Sequence, residues 1–154
     1  MSDTKNKWHA IALVAGILLI AVNLRVPFTS IAPVLPLIQN DFGLSASALG
    51  LLTSLPLLAF AAFSPLSASV ARRFGIERTL FGALLVISAG ILLRSAGSAW
   101  ALYAGAVLIG TGIALGNVLL PGLIKRDFST KMASMTGAYS ITMGAAGAVG
   151  SAVI

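Results

Sequence analysis

Arg25 lies deep within an apolar run that extends from residue 9 to residue 37. Thr29 follows one helical turn later on the same face and could add a hydroxyl group. A guanidinium group offers several donors in a planar fork that suits a planar anion, and it stays charged when buried. A charge at this depth costs roughly 3 kcal/mol or more. Arg25 and Thr29 therefore predict contact with a polar, negatively charged or electron-rich ligand inside a membrane.

The charge of Arg25 has no obvious partner in the sequence. The acidic residues all fall in predicted tails or loops, at Asp3, Asp41, Glu77 and Asp127. The counter-charge must then come from a ligand, water, helix-end dipoles or a further part of the protein. The alternative is a structural arginine that bonds backbone carbonyls or an acid of another helix.

Two asparagines are further candidates for ligand contact. Asn117 lies one turn before Pro121, so its amide could bond either the carbonyl that this proline frees or a ligand. Asn23 is two residues from Arg25 and points to nearly the opposite helix face, which favours helix packing over ligand contact. Arg94, at the outer end of another apolar run, either extends to the surface or attracts anions there.

The elements that must position these residues are transmembrane helices. The chain is 58% hydrophobic and 9% charged, whereas a soluble domain is roughly 25% charged. Apolar runs long enough to cross a bilayer occupy residues 9–37, 46–70, 79–96, 99–124 and 132–154. We therefore expect an all-α membrane protein with about five transmembrane helices and the lipid bilayer as a partner.

The basic residues lie in alternate connections between these runs. Of the 10 lysines and arginines, all but Arg25 and Arg94 fall in the N-terminal tail, the second connection or the fourth connection. The positive-inside rule places these segments, and the N-terminus, in the cytoplasm. The net charge of +6 is thus a topology signal. Nucleic acid is not an expected partner, because no basic stripe with interleaved aromatic residues is present.

The composition argues against an enzyme or a metal protein. The chain has no cysteine, one histidine and four acidic residues, too few for a buried metal cluster or a paired-carboxylate site. No catalytic or nucleotide-binding motif is present. We expect no catalytic activity, no metal and no cofactor.

Small residues predict close helix packing in two runs. Gly112 and Gly116 are one turn apart, as in small-xxx-small helix contacts. Gly144 and Gly147 belong to a second stripe of small residues in the last run. Their roles in packing come first, and any role in transport would be indirect.

The second connection resembles the signature loop of the major facilitator superfamily, Gly-x-x-x-Asp-Arg-x-Gly-Arg-Arg. Arg73, Gly75 and Arg78 match or nearly match, while Arg72 stands at the acidic position. The resemblance implies a role in closing the cytoplasmic gate, with Glu77 as the candidate substitute for the missing acid. The structural alternative is a positively charged cytoplasmic turn with Gly75 ending a helix.

Three further stretches resemble the cyanate-permease branch of this superfamily, which includes nitroimidazole transporters. They are residues 23–27, 31–36 and 110–128. The superfamily fold has twelve helices in two six-helix halves with the substrate between them. The resemblance implies that residues 1–154 are the larger part of the N-terminal half, truncated before the C-terminal half that would be its partner. The usual fourth-helix arginine is absent near Ala106, and the fifth-helix glycine-proline motif lacks its proline, which argues against a proton-driven drug antiporter.

The resemblance implies a multi-pass secondary transporter of the bacterial inner membrane. It would carry a small polar solute by alternating access, either a small anion such as cyanate or a nitroimidazole-like compound. Arg25 independently favours the anion. A non-transporting membrane assembly or receptor-like bundle is the alternative, since stripes of small residues would suit it equally.

Overall fold

The computed structural model describes the backbone of residues 2–29 and 31–153, and the side chains of residues 8–27, 29 and 31–153. Within these residues the secondary structure is helical and contains no strand, so the predicted all-α class is confirmed. The helices are α1 (Ser2–Thr29), α2 (Leu35–Phe42), α3 (Ala46–Phe74), α4 (Ile76–Arg94), α5 (Ala99–Asp127) and α6 (Met132–Ala152). Short 3-10 turns at Ala32–Val34 and Ser129–Lys131 precede α2 and α6.

Prolines act differently along the chain. The expected first span, residues 9–37, is divided: Pro33 lies in the 3-10 turn and Pro36 in the first turn of α2, positions where a missing N–H costs little. Pro56 and Pro121 instead lie inside the 29-residue helices α3 and α5, which continue through them. Neighbouring helices can support such interruptions inside a membrane.

Four segments of the described chain are long and apolar enough to cross a membrane, namely Trp8–Phe42, Ala46–Phe74, Ile76–Arg94 and Ala99–Asp127. The fifth expected span, α6, has 21 residues, or about 31 Å at 1.5 Å per residue. It is long enough to cross, but its many Gly, Ser and Thr residues make it less apolar, and it is not one of the four.

Helix α5 is the centre of the bundle. Its buried residues include Ile109, Ile113 and Leu120, which join Ile17 and Ile87 of α1 and α4 in one apolar core. The helices α3 and α4 pack along α5, and α6 packs along α1. This arrangement brings α1, α3, α5 and α6 around one space inside the bundle.

Glycine contacts let α5 approach its neighbours closely. A Cβ added to Gly105 would lie 2.6 Å from the carbonyl oxygen of Gly90 on α4. On the other side of α5, a Cβ on Gly110 would overlap the backbone of Pro56 on α3. The Tyr103 hydroxyl also donates to the Ala48 carbonyl, 3.0 Å away. These contacts fix α3 and α4 against α5.

Candidate functional site

A cavity of about 190 Å³ lies between α1, α3, α5 and α6, and we call it the Arg25 cavity. Its lining includes Arg25, Leu57, Phe60, Asn117 and Met143. Phe60 is the central residue of α3, about 21 Å from either end of that helix. The cavity therefore lies at mid-depth of the bundle and opens to the surface beside the exposed Arg25 and Leu57. Its described lining contains one cation, one amide and one aromatic ring among apolar groups.

Packing on both sides of Arg25 determines where its side chain lies. Its neighbour Leu24 is 1% exposed and packs against Gly116 of α5. Gly147 of α6 is buried against the Arg25 side chain, because a Cβ there would lie 3.1 Å from Arg25 Cγ and 3.2 Å from Nε. Arg25 itself is exposed at the cavity. Among the described residues, no hydrogen bond or ion pair engages its guanidinium group.

The cavity brings together two of the four predicted ligand contacts. Asn117 is partly buried on α5 and lines the cavity with Arg25. The amide offers both a donor and an acceptor, which complements the donor-only guanidinium. Together they could hold a small solute that has one negatively charged end and one neutral polar group.

The other two predicted contacts lie elsewhere. The Thr29 hydroxyl donates within its own helix, to the carbonyls of Arg25 at 3.3 Å and Val26 at 3.4 Å, and its methyl group would meet a Cβ on Gly147 at 3.5 Å. Asn23 is exposed and is not part of the cavity lining. In this structure Thr29 therefore supports the α1–α6 contact, and Asn23 lies outside the cavity.

The connection between α3 and α4 is a tight glycine turn. Gly75 has φ +88° and ψ 149°, and its N–H donates to the Ala71 carbonyl at 2.8 Å. The Arg73 guanidinium lies 5.7 Å from the centre of the Phe74 ring, within cation–π range. Arg78 is exposed. Gly75 adopts a conformation that L residues with a side chain rarely occupy.

Glu77, the residue considered as the substitute acid of this loop, pairs with Arg126. The Arg126 Nη2 donates to Glu77 Oε1 at 2.7 Å, and its Nε donates to Asp127 Oδ1 at 2.7 Å. This pair joins the start of α4 to the end of α5. It also places the second and fourth connections, which carry most of the basic residues, at the same end of the bundle.

The predicted packing glycines have different surroundings. A Cβ on Gly112 would lie 2.8 Å from the Ala83 carbonyl oxygen of α4, whereas Gly116 faces Leu24 of α1. The two residues thus face two different helices and do not form one shared seam. No described atom lies within 4 Å of a Cβ added to Gly144, so this glycine makes no close helix contact here.

Sequence reasoning missed Phe60, Met143 and Arg126. Phe60 and Met143 line the cavity, but an aromatic or thioether side chain in an apolar run carries no signal that separates cavity lining from core. Arg126 was considered only as a topology residue, although its neighbour Asp127 hinted at ion pairing. The described residues contain no cluster of three or more His, Cys, Asp or Glu that could hold a metal ion.

Comparison with known proteins finds relatives that are named as transporters. The sequence is 62% identical over 146 residues to the 2-nitroimidazole transporter of Escherichia coli K12, covering 95% of this chain and 37% of the relative. It is 45% identical over 141 residues to the uncharacterized transporter YycB of Bacillus subtilis 168, covering 92% of this chain and 35% of that protein.

A third relative is more distant. The cyanate transport protein CynX of Escherichia coli K12 is 29% identical over 138 residues, covering 89% of this chain and 36% of the relative. The chain thus spans little more than a third of the length of these three relatives. No solved structure matches it significantly.

The family profile extends over nearly all of the structure. The profile described as Major Facilitator Superfamily matches residues 11–154, which include the Arg25 cavity and the α3–α4 connection. With its apolar helices, this match makes the protein a multi-pass membrane protein. The chain belongs to the Major Facilitator Superfamily.

Proposed function

We propose that this protein is a secondary transporter that moves a small anion or a compact nitro-heteroaromatic solute across the membrane by alternating access. The observation that carries the proposal is the Arg25 cavity, where a guanidinium group, an amide and a phenyl ring line one small space. The names of the nitroimidazole and cyanate relatives support the same solute classes.

The part of the site that this chain lines suits a small solute. Its volume is about 190 Å³, below the range of about 300–1,000 Å³ typical of complete pockets for drug-sized ligands. Both solutes are small: cyanate is a linear anion, and 2-nitroimidazole is a planar ring whose nitro oxygens accept hydrogen bonds. Their charged or nitro end would accept hydrogen bonds from Arg25, as planar anions do from a guanidinium fork.

The remaining lining residues would distinguish the two solutes. Phe60 offers an aromatic face on which a heteroaromatic ring could stack, a contact worth about 0.5–1.5 kcal/mol beyond burial. Asn117 would bond a ring nitrogen, because its amide can either donate or accept. A linear anion such as cyanate would depend mainly on Arg25.

The cytoplasmic loop would contribute to gating. We place the N-terminus in the cytoplasm of a bacterial inner membrane, because the basic connections share one end of the bundle and the positive-inside rule makes that end cytoplasmic. In this proposal Arg73, Gly75, Arg78 and Glu77 shape the turn that meets the remainder of the transporter when the cytoplasmic side closes.

Uptake by the full-length protein in proteoliposomes tests the proposal. Radiolabelled cyanate and 2-nitroimidazole are supplied separately to wild type, Arg25→Gln, Arg25→Lys and the control Lys125→Gln, which removes an exposed charge outside the cavity. We expect Arg25→Gln to abolish uptake of at least one solute, Arg25→Lys to retain part of it, and Lys125→Gln to match wild type. Normal uptake of both solutes by Arg25→Gln would refute the proposal.

A further inference from the structure

A second cavity lies next to the Arg25 cavity and contains the other arginine of the apolar segments. It has a volume of about 210 Å³, and its lining includes Pro27, Thr53, Pro56, Leu57 and Arg94. We call it the Arg94 cavity. Four helices contribute to it, namely α1, α3, α4 and α5, so it lies inside the bundle and not on the surface of one helix.

The backbone at Arg94 directs its side chain toward the bundle. Arg94 ends α4, where the close approach of Gly90 and Gly105 holds α4 against α5. A Cβ on Gly105 would lie 2.9 Å from the Arg94 backbone nitrogen and 3.0 Å from Arg94 Cβ. The Arg94 side chain therefore begins at the α4–α5 contact and reaches the cavity half-buried.

The polar groups around Arg94 leave its charge uncompensated. Among the described residues, no carboxylate lines the Arg94 cavity, and no hydrogen bond or ion pair engages the Arg94 guanidinium. The Thr53 hydroxyl donates to the carbonyls of Leu49 at 3.1 Å and Gly50 at 2.9 Å within α3. Arg94 is thus the charged donor in this space, and partial burial strengthens its attraction for an anion relative to bulk water.

The two cavities share one short stretch of α3. Pro56 and Leu57 line both of them. Pro56 is buried against α5, whereas the Leu57 side chain is 55% exposed. Pro56 and Leu57 therefore form the border between the two cavities, and a solute that moves from one to the other would pass the Leu57 side chain.

We propose that the Arg94 cavity is a second anion-binding site in series with the Arg25 cavity. A small monovalent anion binds at Arg94 near the end of α4, then passes Leu57 to reach Arg25. Cations placed along a cleft with low-dielectric walls raise the local concentration of an anionic ligand. The series arrangement rests on the proposed transport function, but anion binding at Arg94 does not.

Equilibrium binding separates the two sites. Sodium thiocyanate, an inert linear anion, is titrated by calorimetry into the purified full-length protein at fixed ionic strength. The variants are Arg25→Gln, Arg94→Gln and the double variants Arg25→Gln/Arg94→Gln and Arg25→Gln/Arg94→Lys, each checked for a monodisperse elution profile. Lys125→Gln is the control for loss of one positive charge elsewhere.

We expect Arg25→Gln to retain one thiocyanate-binding event. The double variant Arg25→Gln/Arg94→Gln should either lack this event or show a Kd at least about tenfold higher, because a charge-assisted contact is lost. Arg94→Lys in the Arg25→Gln background should restore part of that event even if Arg94→Gln perturbs folding. The proposal is overturned if Arg25→Gln binds no thiocyanate, or if the double variant binds it as tightly as Arg25→Gln. The uptake assay reports separately on transport, because uptake insensitive to Arg25 would remove the proposed function and leave anion binding at Arg94 intact.

Discussion

Gly147 of α6 packs directly against the side chain of Arg25 of α1: a Cβ at Gly147 would lie 3.1 Å from Arg25 Cγ and 3.2 Å from Nε. Such contacts are tighter than ordinary van der Waals packing, so the absence of a side chain at Gly147 is what allows Arg25 its present path. The position of the guanidinium group in the cavity thus depends on a helix contact as well as on α1 itself.

Gly147→Ala should displace the Arg25 side chain and weaken solute binding. A displacement that costs about 1 kcal/mol would raise the KM for uptake about fivefold, with less effect on the maximal rate. The matched control is Gly144→Ala on the same helix, where a Cβ meets no described atom within 4 Å. Equal KM values for the two variants would show that Gly147 does not position Arg25.

Asn117→Asp should impair anion uptake more than Asn117→Ala does. The new carboxylate would line the same cavity as Arg25 and could neutralise the guanidinium, so it would compete with an anionic solute. Removal of the amide alone should cost about 0.5–1.5 kcal/mol, the net value of one hydrogen bond. The concentration dependence of uptake measures both variants.

The control for Asn117 is Thr111→Val on the same helix. Thr111 donates to the Val107 carbonyl at 2.9 Å and lies outside the cavity lining, so its loss should leave KM near the wild-type value. If Asn117→Asp transports as well as Asn117→Ala, the pairing of Asn117 with Arg25 around an anion is wrong.

Gly75→Ala should destabilise the fold. Gly75 has φ +88° and ψ 149°, and a side chain in such a region costs about 1–3 kcal/mol. We expect a lower melting temperature in detergent, whereas Gly82→Ala, in open space inside α4, should leave it unchanged or raise it slightly. A Gly75→Ala protein as stable as Gly82→Ala would mean that the turn relaxes without strain.

The Glu77–Arg126 pair should contribute little to stability. The side chains are 70% and 47% exposed, and exposed pairs are worth about 0–1 kcal/mol. A double-mutant cycle of Glu77→Gln and Arg126→Gln, followed by thermal unfolding, should give a coupling energy in that range that falls with added salt. A much larger, salt-insensitive coupling would mean that the pair is shielded from solvent in the full-length protein.

Residue type and depth could predict the helical fold and two members of the cavity. Arg25 and Asn117 are conspicuous because polar groups in apolar helices are costly, and the structure brings them together. Thr29 lies on the same face of α1 as Arg25, since both side chains would meet a Cβ on Gly147. Its hydroxyl bonds carbonyls of its own helix, a competing choice that spacing does not reveal. Gly112 and Gly116 were expected to share one seam but face different helices, because each tight crossing of α5 involves a separate neighbour.

Phe60 and Met143 could not be predicted as cavity residues. Each lies in an apolar run where core, lipid-facing and cavity-lining positions use the same residue types. Which of these surroundings they meet depends on how α3 and α6 are rotated in the bundle, and tertiary contacts decide that rotation. The 3-10 turn within the first expected span contains Pro33, whereas α3 continues through Pro56, so a proline in the sequence does not by itself mark the end of a helix.

Protection of an introduced thiol by the solute tests the central claim most directly. The described chain has no native cysteine, so Met143→Cys places a single reporter in this region, within the Arg25 cavity. Any cysteines elsewhere in the full-length protein are first replaced, and N-ethylmaleimide, a neutral reagent, is used. Ile141→Cys, 74% exposed and outside the cavity, is the control.

Cyanate or 2-nitroimidazole should slow modification of Met143→Cys, leave Ile141→Cys unaffected, and lose its protective effect when Arg25→Gln is added. Protection that persists unchanged without the Arg25 guanidinium, or no protection of Met143→Cys by a solute that the protein transports, would contradict the assignment of this cavity as the solute site.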